Sequence, residues 1–198
     1  MSAASEFLPL VQTVETDMRR WLERAVIGLN LCPFAKSVHV KGQVHTVVSS
    51  AQDAKTLLAA LEMELKALEV LDAVERDTTL LIAPLMFSEF LDFNDFLDQA
   101  DRVLRKLRLD GIFQIASFHP QFQFADTQTD DITNFTNRAP YPTLHLLREA
   151  SIDRAVQAYP DAEDIFGKNM QTLQSLGHAG WVALDVGAQI GPRGKIAP

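Results

Sequence analysis

One cysteine, Cys32, stands in a chain of 198 residues. No internal disulfide is possible, which fits a reducing compartment. No apolar run approaches the roughly 20 residues that a membrane-spanning helix needs. The start, Met1-Ser2-Ala3-Ala4-Ser5-Glu6, lacks the basic-then-apolar order of a secretory signal. Positive charge is scarce as well: 18 Lys and Arg against 26 Asp and Glu give a formal net charge of -8. A nucleic-acid partner demands a cationic surface, so this balance argues against that class. The densest basic group is Arg102, Arg105, Lys106 and Arg108. It falls in the last turns of an expected helix, where cations offset the helix dipole. A phosphate-cradling glycine loop, a dinucleotide fingerprint and a Gly-x-Ser-x-Gly elbow are all missing. The expectation is a cytoplasmic protein that engages neither nucleic acid nor membrane and carries no nucleotide signature.

What is present is enough for a core. The chain is 47% apolar, and a chain of this length buries about 70% of its unfolded surface. We expect a single α/β domain over residues 1–187 and a flexible tail over 188–198. Val14, Met18, Trp21, Leu22, Ala25, Val26 and Leu29 recur at helical spacing and predict a helix from about Val14 to Asn30, stopped by Pro33. Val38, Val40, Val44, Thr46 and Val48 alternate with His39, Lys41 and His45, which predicts a strand interrupted at Gly42. Ser50 or Asp53 opens a second helix with Leu57, Leu58, Leu61, Leu65, Leu68 and Leu71 as its stripe. Thr78 to Leu85 reads as a buried strand. Ser88 is placed to cap a third helix, and Ile112 to Phe118 forms the next strand. Thr143 to Arg148 follows as a fourth. Ser151 is placed to cap a short helix, and Pro160-Asp161 to start a longer one that stops at Gly177. Alternating strands and helices predict a mostly parallel or mixed sheet of about four strands. Helices cover it, one of them N-terminal and others C-terminal.

Polar features that a core would not demand gather around Cys32 and between Phe118 and Arg148. Cys32 has two readings. At the end of the first helix its thiolate would face the negative end of the dipole and be inert. As the cap of a new turn through Cys32-Pro33-Phe34-Ala35, with Pro33 at the favoured first helical position, its thiolate would be stabilised. His119 follows a strand, at the edge where α/β sheets bind ligands. Asp126, Asp130 and Asp131 come next. They could bind a cation, act as an acid or base, or cap turns. Arg138 and Arg148 carry planar forks suited to a carboxylate or phosphate. His145 alternates with Thr143 and Leu147 on one strand face. Cys32, His119 and His145 could converge as a nucleophile–base set or as three ligands of a divalent metal such as zinc, although no histidine pair shows metal spacing.

Three blocks resemble a known family. They are Gly28-Leu29-Asn30-Leu31-Cys32-Pro33-Phe34-Ala35, Ser117-Phe118-His119-Pro120, and Asn137-Arg138-Ala139-Pro140-Tyr141-Pro142-Thr143-Leu144-His145-Leu146-Leu147-Arg148-Glu149. Over about residues 14–182 the chain is similar to the bacterial domain-of-unknown-function family 1415. The resemblance implies a single bacterial domain and no particular mechanism. It nominates Cys32, His119, Asn137, Arg138, Tyr141, His145 and Arg148 as signature positions. Two readings of function follow. In the leading one the chain is a small-molecule enzyme: Cys32, His119 and His145 are catalytic, and Asn137, Arg138, Tyr141 and Arg148 hold an anionic substrate. The alternative is a non-catalytic binding or assembly module, in which the same loop is a folded structural element with Phe122, Phe124 and Tyr141 as core or interface anchors, or else a metal-binding protein. Neither the cofactor nor the oligomeric state is encoded in these features.

Overall fold

The alternating strand and helix segments assemble into a mixed sheet with helices on its faces. The computed structural model describes residues 3–159, 162–191 and 195–196. In chain order they form α1 (Ala3–Trp21), α2 (Ala35–Val40), β1 (Val44–Val48), α3 (Ala54–Val70), β2 (Thr78–Ile82) and α4 (Phe90–Leu107). Then come β3 (Phe113–Phe118), β4 (Thr143–Arg148), α5 (Glu149–Ala158), α6 (Ile165–Ala183), β5 (Ile190–Gly191) and β6 (Lys195–Ile196). A π-helical segment, Leu22–Ile27, continues α1, and short 3-10 turns cover Ile132–Asn137 and Ala162–Asp164. No described helix is long and apolar enough to cross a membrane.

The main sheet has the order β1-β2-β4-β3. β1 and β2 are parallel, as a crossover through α3 requires. β4 is antiparallel to both neighbours and slots between them. The chain therefore returns from β3 through the long 119–142 segment rather than through a helix, and that reverses the strand direction.

Side-chain alternation divides the sheet into two faces. Leu81, Leu144, Leu146 and Phe113 point into a core with α3 and α4. Leu57, Leu61, Leu65 and Leu68 of α3 are all fully buried there, each worth roughly 1.5–3 kcal/mol relative to exposure. Asp53 caps α3 by accepting the Thr56 N–H at 2.9 Å. On the opposite face Leu80, Ile82, Val44, Val48 and Phe118 meet α1 and the π segment through Val14, Met18, Trp21, Ala25 and Val26.

Several local expectations are corrected. Val38 and Val40 belong to α2, not to a strand, and Val40 is 76% exposed. The period-2 alternation there was not recording burial. Leu71 lies past the end of α3. Ser88 does not cap α4: the cap position is Glu89, without a side-chain bond. Ser151 lies inside α5 and donates instead to Asp77 at 2.5 Å. Gly177 has a positive φ of 63° and kinks α6, which nevertheless continues to Ala183. The helix start expected at Pro160-Asp161 lies outside the described residues. So does part of the 188–198 tail. Of its described residues, Ala188 packs against the α1 core, Gln189 donates its N–H to Asp17, and Ile190–Gly191 pairs with Lys195–Ile196.

Candidate functional site

His119 directly follows β3 on the α4 side of the sheet and is 1% exposed. Its ring stacks on Phe93 at 5.4 Å and tilts against Phe90 at 5.6 Å. Nδ1 accepts the Gln121 N–H at 3.0 Å, so the ring proton sits on Nε2 and is donated to the Phe87 carbonyl at 2.8 Å. Burial holds its pKa below the usual histidine value, and the Phe87 carbonyl opposes this. This neutral ring ties the turn before α4 to the end of β3.

The neighbouring signature residues do similar work. Arg138 lies over the Phe135 ring at 4.3 Å and donates to the carbonyls of Phe122 (3.1 Å) and Thr129 (2.6 Å). The Asn137 side chain donates to the Ser117 carbonyl at 3.3 Å. Asp131 caps the 3-10 turn by accepting from Thr133 N–H and Oγ1. Asp126 occupies a turn with φ 64°, and Asp130 is exposed. Asn134, fully buried, closes the loop by accepting from Phe124 N–H and Thr127 Oγ1 and donating to the Gln128 carbonyl. The residues expected to grip a substrate here bind their own loop. A loop this long stays folded only if its backbone groups find partners.

Arg148 sits at the far end of β4. Nη2 donates to the carbonyls of Leu68 (2.6 Å), Leu71 (2.7 Å) and Arg76 (3.0 Å). It closes the C-terminal end of α3, where carbonyls lack helical partners. Tyr141 donates its hydroxyl to Asp17 Oδ2 at 2.7 Å. Asp17 is 1% exposed and also accepts from Arg20 (2.7 Å) and from Gln189 N–H (2.7 Å). Asp17 went unremarked in the sequence. The available signal was an acidic residue lying among Val14, Met18 and Trp21 on an apolar stripe.

His145 differs from these. It stands mid-strand in β4, on the α1 side of the sheet, between Leu80 and Ala116. Thr78 Oγ1 lies 2.7 Å from Nε2 and donates its single hydroxyl proton to the Leu146 carbonyl at 2.6 Å. Nε2 must therefore be the donor to Thr78, which leaves the lone pair on Nδ1. Among the described residues nothing hydrogen-bonds to that lone pair, and the residue is only partly buried. Desolvation pushes its pKa down to about 4, so the ring is neutral at neutral pH.

Cys32 is partly buried and packs against the core that contains Trp21 and Phe118. The backbone N–H groups of Phe34 and Ala35 favour its thiolate, but burial outweighs them and raises its pKa.

The three proposed catalytic residues do not share one site. His119 contacts Phe87, Phe90 and Phe93 on one face of the sheet, while His145 and Cys32 belong to the other. Among the described residues no group of three His, Cys, Asp or Glu could hold a metal ion. The alternation of β3 and β4 sends position 119 and position 145 to opposite faces, which a linear reading of two histidines after two strands does not reveal.

Comparison with curated proteins and with solved structures finds no match. The family model described as protein of unknown function (DUF1415) matches residues 13–183, and the chain belongs to that family.

Proposed function

We propose that this chain is a non-catalytic binding or assembly module. The observation that supports the reading is where the polar signature residues direct their hydrogen bonds. Arg138 and Arg148 donate to five backbone carbonyl contacts between them rather than to an open cavity. Both nitrogens of His119 are occupied by backbone partners. A substrate anion would have to displace bonds that hold the fold. The single cysteine and the bacterial character of the resembled family favour the cytoplasm of a bacterium. The net charge of -8 disfavours nucleic acid.

A second reading keeps a small-molecule enzyme, reduced to Cys32 and His145. The neutral His145 ring and its unengaged lone pair favour it, because a base needs that state. The pH dependence of Cys32 alkylation by iodoacetamide separates the two. The module reading expects slow alkylation with an apparent pKa above the free-thiol value of about 8.5. Fast alkylation with an apparent pKa well below it would replace the module with the enzyme.

A further inference from the structure

β1 lies at the edge of the sheet. The Gln43 carbonyl accepts from Thr78 N–H, and Ser49 N–H donates to the Ile82 carbonyl, so the odd-numbered residues of this strand bond to β2. In a parallel ladder the alternate residues face the other way. The N–H and C=O groups of Val44, Thr46 and Val48 therefore point off the edge. No hydrogen bond from another described residue reaches them. Edge strands are normally guarded by lysine, proline or a bulge. β1, with the sequence Val-His-Thr-Val-Val, has neither lysine nor proline.

At the N-terminal end of this edge opens a cleft of about 350 Å³, lined in part by Gly42, Gln43, Val44, His45, Leu71 and Arg76. Arg76 is 7% exposed, yet it forms part of the cleft wall. Its Nε donates to Thr79 Oγ1 at 2.9 Å, and its Nη2 pairs with Glu64. No acceptor for its Nη1 is found among the described residues. The guanidinium that lines the cleft thus keeps one pair of N–H donors unmatched among the described residues. Leu71, in the cleft wall, is an apolar side chain that remains 37% exposed.

We infer that β1 and this cleft form a docking site for an extended peptide that ends in a free carboxylate. The peptide adds to the edge antiparallel to β1. Its amides meet Val44, Thr46 and Val48, and its C-terminal carboxylate reaches Nη1 of Arg76. The direction follows from the placement: an antiparallel strand brings its C-terminus to the N-terminal end of β1, where the cleft lies. Strand addition gives affinity through main-chain bonds, and a terminal carboxylate supplies orientation. A second copy of the chain fits less well. Two β1 strands paired about a two-fold axis would set Ser49 and Ser50 of one copy against the cleft of the other, leaving Nη1 without an anion. Glu75 also lines the cleft and selects against a long acidic tract. The inference names a partner class for the module proposed above and rests on that reading.

The test screens the full chain against a bead-bound random octapeptide library made in two forms, with C-terminal carboxylate and with C-terminal amide. Enriched free-acid peptides should lose at least about tenfold in affinity on amidation, the loss expected when a charge-assisted bond is removed. Thr46→Pro, which removes an outward N–H, should weaken the same peptides by about tenfold or more. Should that variant misfold, amide exchange in the unmutated chain replaces it. Saturating peptide should then slow the Thr46 and Val48 amide protons. Equal enrichment of acid and amide libraries, binding retained in folded Thr46→Pro, or unchanged exchange at Thr46 and Val48 would each overturn the inference. So would a chain dimer that Thr46→Pro dissolves, because the second copy would then be the occupant. A low thiol pKa at Cys32 removes the module reading itself, so the two failures are distinguishable.

Discussion

Mild acid should weaken this fold through His145. An isolated imidazole titrates near 6.5, and burial in β4 pushes this one down to about 4. Above pH 6.5 the ring is neutral whether the chain is folded or unfolded, and its contribution to stability is fully present. Below that, the unfolded chain gains a proton that the folded ring refuses. Stability then falls by about 1.4 kcal/mol per pH unit until the folded ring titrates as well. The accumulated loss between pH 6.5 and 4 is about 3 kcal/mol, a large share of the roughly 5–15 kcal/mol typical of a whole domain. Carboxylates and the other histidines also titrate in this range, so the measurement must isolate one group. His145→Gln keeps a hydrogen-bonding side chain near Thr78 and removes the titration. Urea unfolding of both proteins, at intervals from about pH 7.5 to about pH 4.5, gives the difference in stability as a function of pH. That difference should shrink as pH falls, by about 2.5 kcal/mol over this window. A difference that stays flat, or an imidazole signal that titrates near 6.5 in the folded protein, would refute the argument. Either result would mean that the ring is hydrated in the folded chain and that burial does not hold it neutral.

Two further substitutions probe how the backbone is held. Gly28 ends the π-helical segment, and a Cβ placed there would collide with the Arg24 carbonyl. Gly28→Ala should destabilise by about 1–3 kcal/mol in urea unfolding, the usual range for overpacking, whereas helix propensity alone predicts a gain. Arg148→Met strips the donor from the carbonyls of Leu68, Leu71 and Arg76. A loss of about 2–4 kcal/mol is expected, with Arg148→Lys only partly recovering it, since an ammonium lacks the guanidinium's spread of donors. Recovery to full stability by lysine would show that charge alone, not geometry, closes that helix.

Much of the architecture was legible because it rests on periodicity. The α3 stripe Leu57, Leu61, Leu65 and Leu68 lies where helical spacing put it, and the Asp53 cap is made. β2, β3 and β4 lie within a residue or two of the segments expected, apart from the C-terminal end of the first. Val38 and Val40 failed because alternation over so few residues also fits a short helix, and α2 leaves Val40 exposed. The site was legible only as a list of names. His119, Asn137, Arg138 and Arg148 stood out because their side chains are chemically capable. Capability does not say whether a group faces a ligand or a carbonyl of its own chain. Asp17, Thr78 and Asn134 decide what Tyr141, His145 and the 119–142 loop do, and they lie far away in sequence or look like ordinary turn residues.

The sequence by itself determined the composition-level class, the helices and most strands, and the family, because these depend on spacing and residue type along the chain. Only the tertiary structure decided which face each strand residue takes and therefore who meets whom. Inserting β4 between β2 and β3 sends His145 toward Thr78 and the α1 side, while the end of β3 sends His119 toward α4. The same strand order leaves β1 at an edge with Arg76 beside it. Pairing and register are long-range choices fixed by packing of the whole sheet, and no local pattern in the chain encodes them.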